Sequence, residues 1–263
     1  MWNFVDRAVC LTVADSDRIH DFLEDTKRVG LDVEIDTGQR VQRSDICKPS
    51  KIIRVDTDCC EDVCKEINNR HLHVIKQSYE RGDRNILIFE DDARWINPMD
   101  ESKLRNTLEW IQSHDPEMFF FGYISYPNVV GKPVNKDIVV IPNPLLAHAY
   151  YINRKGMLRI LSAENRIKEE NIPLDSYYAH YMPDVKKYGV YPSLSYQCVE
   201  PFYYKVTVDR LGFGFIPFNS FMEISNKITY YALYTPHIIV VLSVIIIISS
   251  LVYIFAGVCI VYR

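Results

Sequence analysis

Glycine is scarce in this 263-residue chain, ten against thirteen prolines, and neither recurs at a fixed interval, which excludes collagen-like and low-complexity architectures. Basic residues are nowhere concentrated. The 30 lysines and arginines interleave with 34 acids to a formal charge of −4, so no stripe exists to hold a phosphate backbone and nucleic acid is not an expected partner. The seven cysteines are odd in number and lack the separated C-x2-C pairs of a zinc site. Cys59, Cys60 and Cys64 therefore read as thiols clustered at a helix start. No asparagine heads an N-x-Ser/Thr sequence. The opening MWNFVDRAVCLTVADSDR sets Asp6 and Asp15 around a short apolar run, without the basic start and long apolar core of a secretory leader. A reduced, cytosolic body is the expectation.

What the chain does contain is 48% hydrophobic and 13% aromatic residues, enough for one α/β domain with a substantial core. Its apolar content is unevenly spread. Residues Ile238 to Tyr262 carry no charge and no polar face, and a helix of that length spans a hydrocarbon core of roughly 30 Å. Tyr230, Tyr231, Tyr234 and His237 precede it where an interfacial aromatic belt belongs. The expected organisation is a domain over 1–227, a juxtamembrane segment over 228–237 and a transmembrane helix over 238–262. With no leader at the start, this is a single-pass tail anchor whose body faces the cytosol.

Within the body, strands and helices alternate. Ala8 to Val13 reads as a strand, after which Asp15 and Ser16 offer capping oxygens to a helix with Ile19, Phe22, Leu23, Thr26 and Val29 on its apolar face and Gly30 at its end. Leu31 to Ile35 alternates like a second strand, making a βαβ unit. Ile52, Ile53 and Val55 mark a further strand, and about Cys59 to Arg81 a long helix with Val63, Ile67, Val74 and Ile75 inward, stopped by Gly82. Ile86 to Phe89 is a buried strand, Leu104, Leu108 and Ile111 belong to a helix, and Met118 to Ile124 to a central strand. Ala147 to Leu161 is a strand running into a helix. No internal repeat divides the body.

The chemistry concentrates in NILIFEDDA, where a hydrophobic strand delivers Glu90, Asp91 and Asp92 at its carboxyl end, the side on which open α/β sheets bind ligands. Adjacent carboxylates need a compensating cation or donors, and hard oxygen ligands suit Mg²⁺ or Mn²⁺ shared with phosphates. Alternation along an extended chain sets Glu90 and Asp92 on one side and Asp91 on the other. A solvated acidic turn has the same sequence. Leu211 to Phe215 (LGFGF) lacks the spacing of a dinucleotide fingerprint.

The order of these motifs resembles glycosyltransferase family 25, which contains lipopolysaccharide glycosyltransferases and procollagen galactosyltransferases. The resemblance covers roughly residues 8 to 200. It comprises the first strand with DSDR (Asp15 to Arg18), a helix opening with His71-Leu72 and ending in Gly82, ILIFEDD, AHAYYINRKGMLRIL, IPLD (Ile172 to Asp175) and YPSLSYQ (Tyr191 to Gln197). It implies a GT-A, Rossmann-like nucleotide-sugar fold. It also implies that Glu90-Asp91-Asp92 is the Glu-Asp-Asp form of the metal motif, with Asp92 the leading Mn²⁺ ligand (or Mg²⁺) and Glu90 or Asp91 helping to hold metal or ribose. By the same resemblance Arg18 faces the nucleotide, or else makes a surface salt bridge. His71 matches the family's Ser-His pair, but Arg70 stands where the serine does, so helix packing or a polar network is an equal role for His71. Asp175 is a candidate general base toward the acceptor hydroxyl, or a helix N-cap. Tyr196 and Gln197 line the nucleotide pocket, or are ordinary strand residues.

The expected function is a membrane-anchored, metal-dependent transfer of a hexose from a nucleoside diphosphate sugar, a UDP-sugar first, to a glycan, lipid or protein hydroxyl. A catalytically silent GT-A-like domain tethered to a membrane as a binding or scaffold protein is the alternative from another class. A metal-dependent phosphoesterase would use the same carboxylates but needs further ligands. The tyrosine pairs Tyr150-Tyr151, Tyr177-Tyr178 and Tyr203-Tyr204 either stack sugars or fill cores.

Overall fold

In the computed structural model, which describes residues 1–38, 57–125 and 132–197, alternating apolar residues build one mixed sheet covered on both faces. Strand β1 (Ala8–Val13) leads through helix α1 (Ile19–Arg28) to β2 (Glu34–Gly38), and α2 (Thr57–Arg81) leads to β3 (Asn85–Glu90). A short β4 (Ala93–Trp95), α3 (Glu101–His114), β5 (Met118–Phe120), β6 (Ile124–Ser125), β7 (Lys132–Pro133), β8 (Ile138–Ile141) and β9 (Pro144–Leu145) follow. The remainder is β10 (Ala149–Asn153), α4 (Arg154–Ser162), α5 (Glu164–Glu169), α6 (Leu174–His180), β11 (Lys187–Val190) and β12 (Ser195–Gln197).

The eight-stranded sheet has the order β2-β1-β3-β10-β5-β11-β8-β7. Six of its strands run one way, while β10 and β8 run against their neighbours. The side-chain period of two sorts residues onto its faces. Val9, Leu11, Ile86, Ile88, Phe120 and Tyr150 meet Leu72 and Ile75 of α2, Met157 and Ile160 of α4, and Leu174 and Tyr178 of α6. Ala8, Cys10, Leu87, Phe89, Phe119 and Tyr151 meet Phe22 of α1 and Leu104, Leu108 and Ile111 of α3.

β1 and β2 are parallel, with α1 between them, as the βαβ pattern requires. The second strand starts at Glu34 rather than Leu31, because Gly30 in the left-handed region turns the chain and the Leu31 amide returns to the Thr26 carbonyl. The capping oxygens also act differently: α1 begins after Arg18, whose amide donates to Ser16 Oγ at 3.2 Å, with no side-chain cap on the helix itself. The stretch expected as one strand over Met118 to Ile124 breaks after Phe120. There the Phe121 carbonyl accepts the Leu194 and Ser195 amides, drawing the later chain across.

The inward face of α2 differs from the apolar stripe as well. Ile67 is exposed, while Asn68, His71 and Ser78 are buried beside Leu72 and Ile75. Asn68 accepts the Leu174 amide and donates to the Ile172 carbonyl, fixing the start of α6, so its burial is compensated. The expected strand around Ile52 to Val55, the juxtamembrane segment and the transmembrane helix over 238–262 lie outside the described residues. Among the described residues no helix is long and apolar enough to cross a membrane.

Candidate functional site

β1 and β3 are parallel neighbours, so their carboxyl ends deliver Thr12 and the acidic run to one place. β3 ends at Glu90, and Asp91 and Asp92 form the turn into β4. Glu90, on the same sheet face as Ile88, turns toward α2. Asp91 turns to the α1 side, where Thr12 Oγ donates to its Oδ2 at 2.6 Å and the Arg18 guanidinium meets its Oδ1 at 2.8 Å. Asp92 Oδ2 lies 3.6 Å from the same guanidinium, and its carboxyl feels the charge of Glu90 more than that of Asp91.

β4 carries the turn onward and pairs antiparallel with β12, which sets Gln197 opposite Ala93. Gln197 Nε2 then donates to Asp92 Oδ2 at 3.1 Å. Four residues named from sequence, Arg18, Asp91, Asp92 and Gln197, are thus joined by direct contacts, and Glu90 adjoins them. Arg94 was not foreseen. Buried beneath the turn, it donates to the carbonyls of Asp91 (2.8 Å), Ala93 (2.9 Å) and Arg18 (3.2 Å), so one guanidinium ties the acidic turn to the start of α1. Its position three residues after Asp91 was the available signal.

Electrostatics separates the carboxylates. Burial and the charge of Glu90 push Asp92 up to about 7, against the opposing pull of Arg18 and Gln197. Burial also penalises the Glu90 charge, but the hydrogen bond of His71, helped by the Arg18 charge, outweighs it and holds Glu90 below the usual carboxylate range. Burial lowers His148 to about 4, leaving a neutral ring beside the cluster at pH 7. The Cys10 thiol is pushed far up by burial and the three acids, so it is no nucleophile.

The cluster's fit to a divalent cation has a definite shape. Asp92 Oδ1 is buried and lacks a hydrogen-bond partner, an orphan that a cation would satisfy. Among the described residues no group of three or more His, Cys, Asp or Glu side chains is placed to hold a metal ion. A divalent cation here would have at most two carboxylate ligands and would need phosphate oxygens to complete its shell, which Mg²⁺ tolerates.

Asp175 is not part of these contacts. It lies in the first turn of α6, beyond the N-cap residue Pro173, with Oδ2 accepting the Leu146 amide at 3.3 Å and Oδ1 the Ser176 amide at 2.6 Å. Tyr196 faces Arg94 across the β4–β12 pair. Tyr150, Tyr151, Tyr177 and Tyr178 are buried, which removes them as sugar-stacking platforms; Tyr203 and Tyr204 lie outside the described residues. Arg70 serves the sheet: its guanidinium donates to the Thr12 and Asp36 carbonyls and lies 3.2 Å from the Asp36 carboxylate. Beside it a groove of about 570 Å³ is lined by Asp36, Gly38, Arg70 and His73.

No family model and no curated protein matches the chain, so the resemblance to glycosyltransferase family 25 stands on its motifs. Solved structures give loose overlaps. A glycosyltransferase involved in glycosylation of the major capsid of PBCV-1 is 10% identical, covering 70% of this chain and 81% of its own, with a TM-score of 0.39. UDP-glucose pyrophosphorylase from Acinetobacter baumanii is 10% identical, covering 85% and 98%, with a TM-score of 0.44. A197 from STIV is 11% identical, covering 74% and 86%, with a TM-score of 0.39. Likenesses this loose bear on neither substrate nor activity.

Proposed function

We propose that the chain is a nucleotide-sugar-dependent glycosyltransferase, transferring a hexose from a UDP-sugar to a glycan, lipid or protein hydroxyl. It works with Mn²⁺ or Mg²⁺ at a membrane to which residues 238–262 anchor a cytosolic body. The observation that carries this reading is the convergence of Arg18, Asp91, Asp92 and Gln197, from separate places in the sequence, around a buried carboxylate oxygen without a partner.

In this reading Asp92 and Glu90 would hold the cation, which would supply positive charge against the diphosphate leaving group. Arg18 is a third exposed, so it can meet phosphate oxygens while keeping its hold on Asp91. Thr12 and Arg94 keep the turn in place, so the donors are oriented before substrate arrives. Asp175 takes the proton of the acceptor hydroxyl.

One observation favours the tethered, catalytically silent alternative: Arg18 already pairs with Asp91 and approaches Asp92 from within the chain, where a cation would otherwise stand. Calorimetry of UDP, GDP and CDP with and without Mn²⁺, on the detergent-solubilised full-length chain and its Asp92→Asn variant, separates the two. Mn²⁺-dependent UDP binding that is lost in the variant is expected of the transferase. Absence of metal-dependent binding of any nucleotide by folded protein leaves the silent domain.

A further inference from the structure

Three buried side chains behind Glu90 form a continuous series. His71 Nε2 lies 3.3 Å from Glu90 Oε1, His71 Nδ1 lies 2.9 Å from the Tyr150 hydroxyl, and that hydroxyl lies 3.1 Å from the Tyr178 hydroxyl. They come from α2, β10 and α6, and each is at most 1% exposed. The His71 and Tyr150 rings also stack at 5.8 Å, so the contact is held by shape as well as by hydrogen bonding.

With Glu90 as the terminal acceptor, the donor inventory offers the series one consistent direction. An ionised Glu90 only accepts, so Nε2 carries the proton toward it. In a neutral ring Nδ1 then accepts from Tyr150, and the Tyr150 oxygen accepts from Tyr178. Every proton points toward the carboxylate. Both phenols are pushed well above their ordinary range by burial, so neither gives up its proton, and the series orients groups without moving charge.

We infer that Tyr178, Tyr150 and His71 form a positioning relay that sets the carboxylate of Glu90 for ligand binding and fixes α6, the helix carrying Asp175, relative to the acidic turn. The inference rests on the proposed nucleotide site and adds a reason for its three inward polar residues. It also accounts for His71 without a serine before it, since Arg70 is occupied with the Thr12 and Asp36 carbonyls. The relay residues are positioning groups; Glu90 alone would meet the ligand.

The test has two arms on the full-length chain. Side-chain ¹⁵N resonances of His71 read the relay whether or not nucleotide binds. A proton on Nε2 is expected, with the Nδ1 resonance shifting in Tyr150→Phe. Calorimetry of UDP with Mn²⁺ reads its role: Tyr150→Phe and Tyr178→Phe keep the packing and should weaken binding by about 5-fold, the scale of one hydrogen bond. His71→Leu should weaken it by about 10-fold or more, with part regained in His71→Gln, which restores a donor toward Glu90. An Nδ1–H tautomer overturns the relay, as does equal UDP affinity across these variants. If wild-type protein binds no UDP, the proposed function fails while the resonances still decide whether the relay exists.

Discussion

Gln197 donates to Asp92 at 3.1 Å across 105 positions of sequence, and the contact exists because β12 lies antiparallel on β4. With the guanidinium of Arg18 it is what the described residues set against the Asp92 carboxylate, and its hydrogen bond favours the ionised form. In Gln197→Leu the proton on Asp92 should be held more tightly, and UDP affinity in the presence of Mn²⁺ should fall about 5-fold at pH 7. Calorimetry reads this directly, and an unchanged affinity would remove Gln197 from the site.

The Asp92 carboxyl also ties stability to pH, with a sign opposite to that of a salt-bridged acid. Its ordinary value is 3.8 and its folded value is about 7. Between these values the unfolded chain has released the proton while the folded chain keeps it, so stability falls as pH rises through the window and levels off above it. Asp92→Asn has no proton to lose there. Thermal melts from pH 5 to 8 should show the wild type declining relative to the variant, by on the order of 2 kcal/mol at pH 8. Parallel curves would mean that the carboxyl is not held protonated.

Arg94 holds three backbone carbonyls at once, so no single-nitrogen side chain can replace it. Both Arg94→Met and Arg94→Lys should lose about 2 to 3 kcal/mol in urea denaturation, the cost of leaving buried acceptors unpaired. Recovery of wild-type stability by lysine would show that charge alone, and not the fork of donors, matters.

Local pattern made much of this fold readable. Residues Ala8 to Val13, Ile86 to Phe89 and the α4 segment follow the apolar periods that their neighbours demand, and the acidic run lies at a strand end as the hydrophobic stretch before it requires. What could not be read has a common physical cause. The pairing of β4 with β12 and the break after Phe120 arise from hydrogen bonds between segments tens of residues apart, which leave no period in either segment. The inward polar face of α2 was hidden for a related reason. Asn68, His71 and Ser78 are buried because distant partners satisfy them, so hydrophobicity placed Ile67 inside instead.

Gly122 stands where that later segment closes onto β5. A β-carbon there would fall well inside the contact distance of both His148 Nε2 and the Ser195 carbonyl, and the latter is backbone that cannot swing away. Gly122→Ala should therefore cost about 3 kcal/mol in denaturant unfolding and displace β12, weakening UDP binding together with stability. A stable variant with intact binding would show that the Phe121–Ser195 junction is free to open.

Asp175 separates chemistry from architecture more sharply than any other site residue. Its carboxylate accepts the amides of Leu146 and Ser176, and Leu146 is held at a φ of 70°, a conformation that a leucine adopts only under restraint. The Asp175→Asn substitution keeps one accepting oxygen and removes the charge, so at least one of these bonds survives it. If Asp175 takes the acceptor proton, the variant should release UDP from a UDP-sugar about 100-fold more slowly or worse, with UDP affinity within about 2-fold of wild type. If it only braces the Leu146 turn, melting temperature should drop by a few degrees while turnover per folded molecule stays near wild type. Measuring turnover, affinity and melting on the same preparation distinguishes the two, because a general base acts on rate alone and a brace acts on folding first.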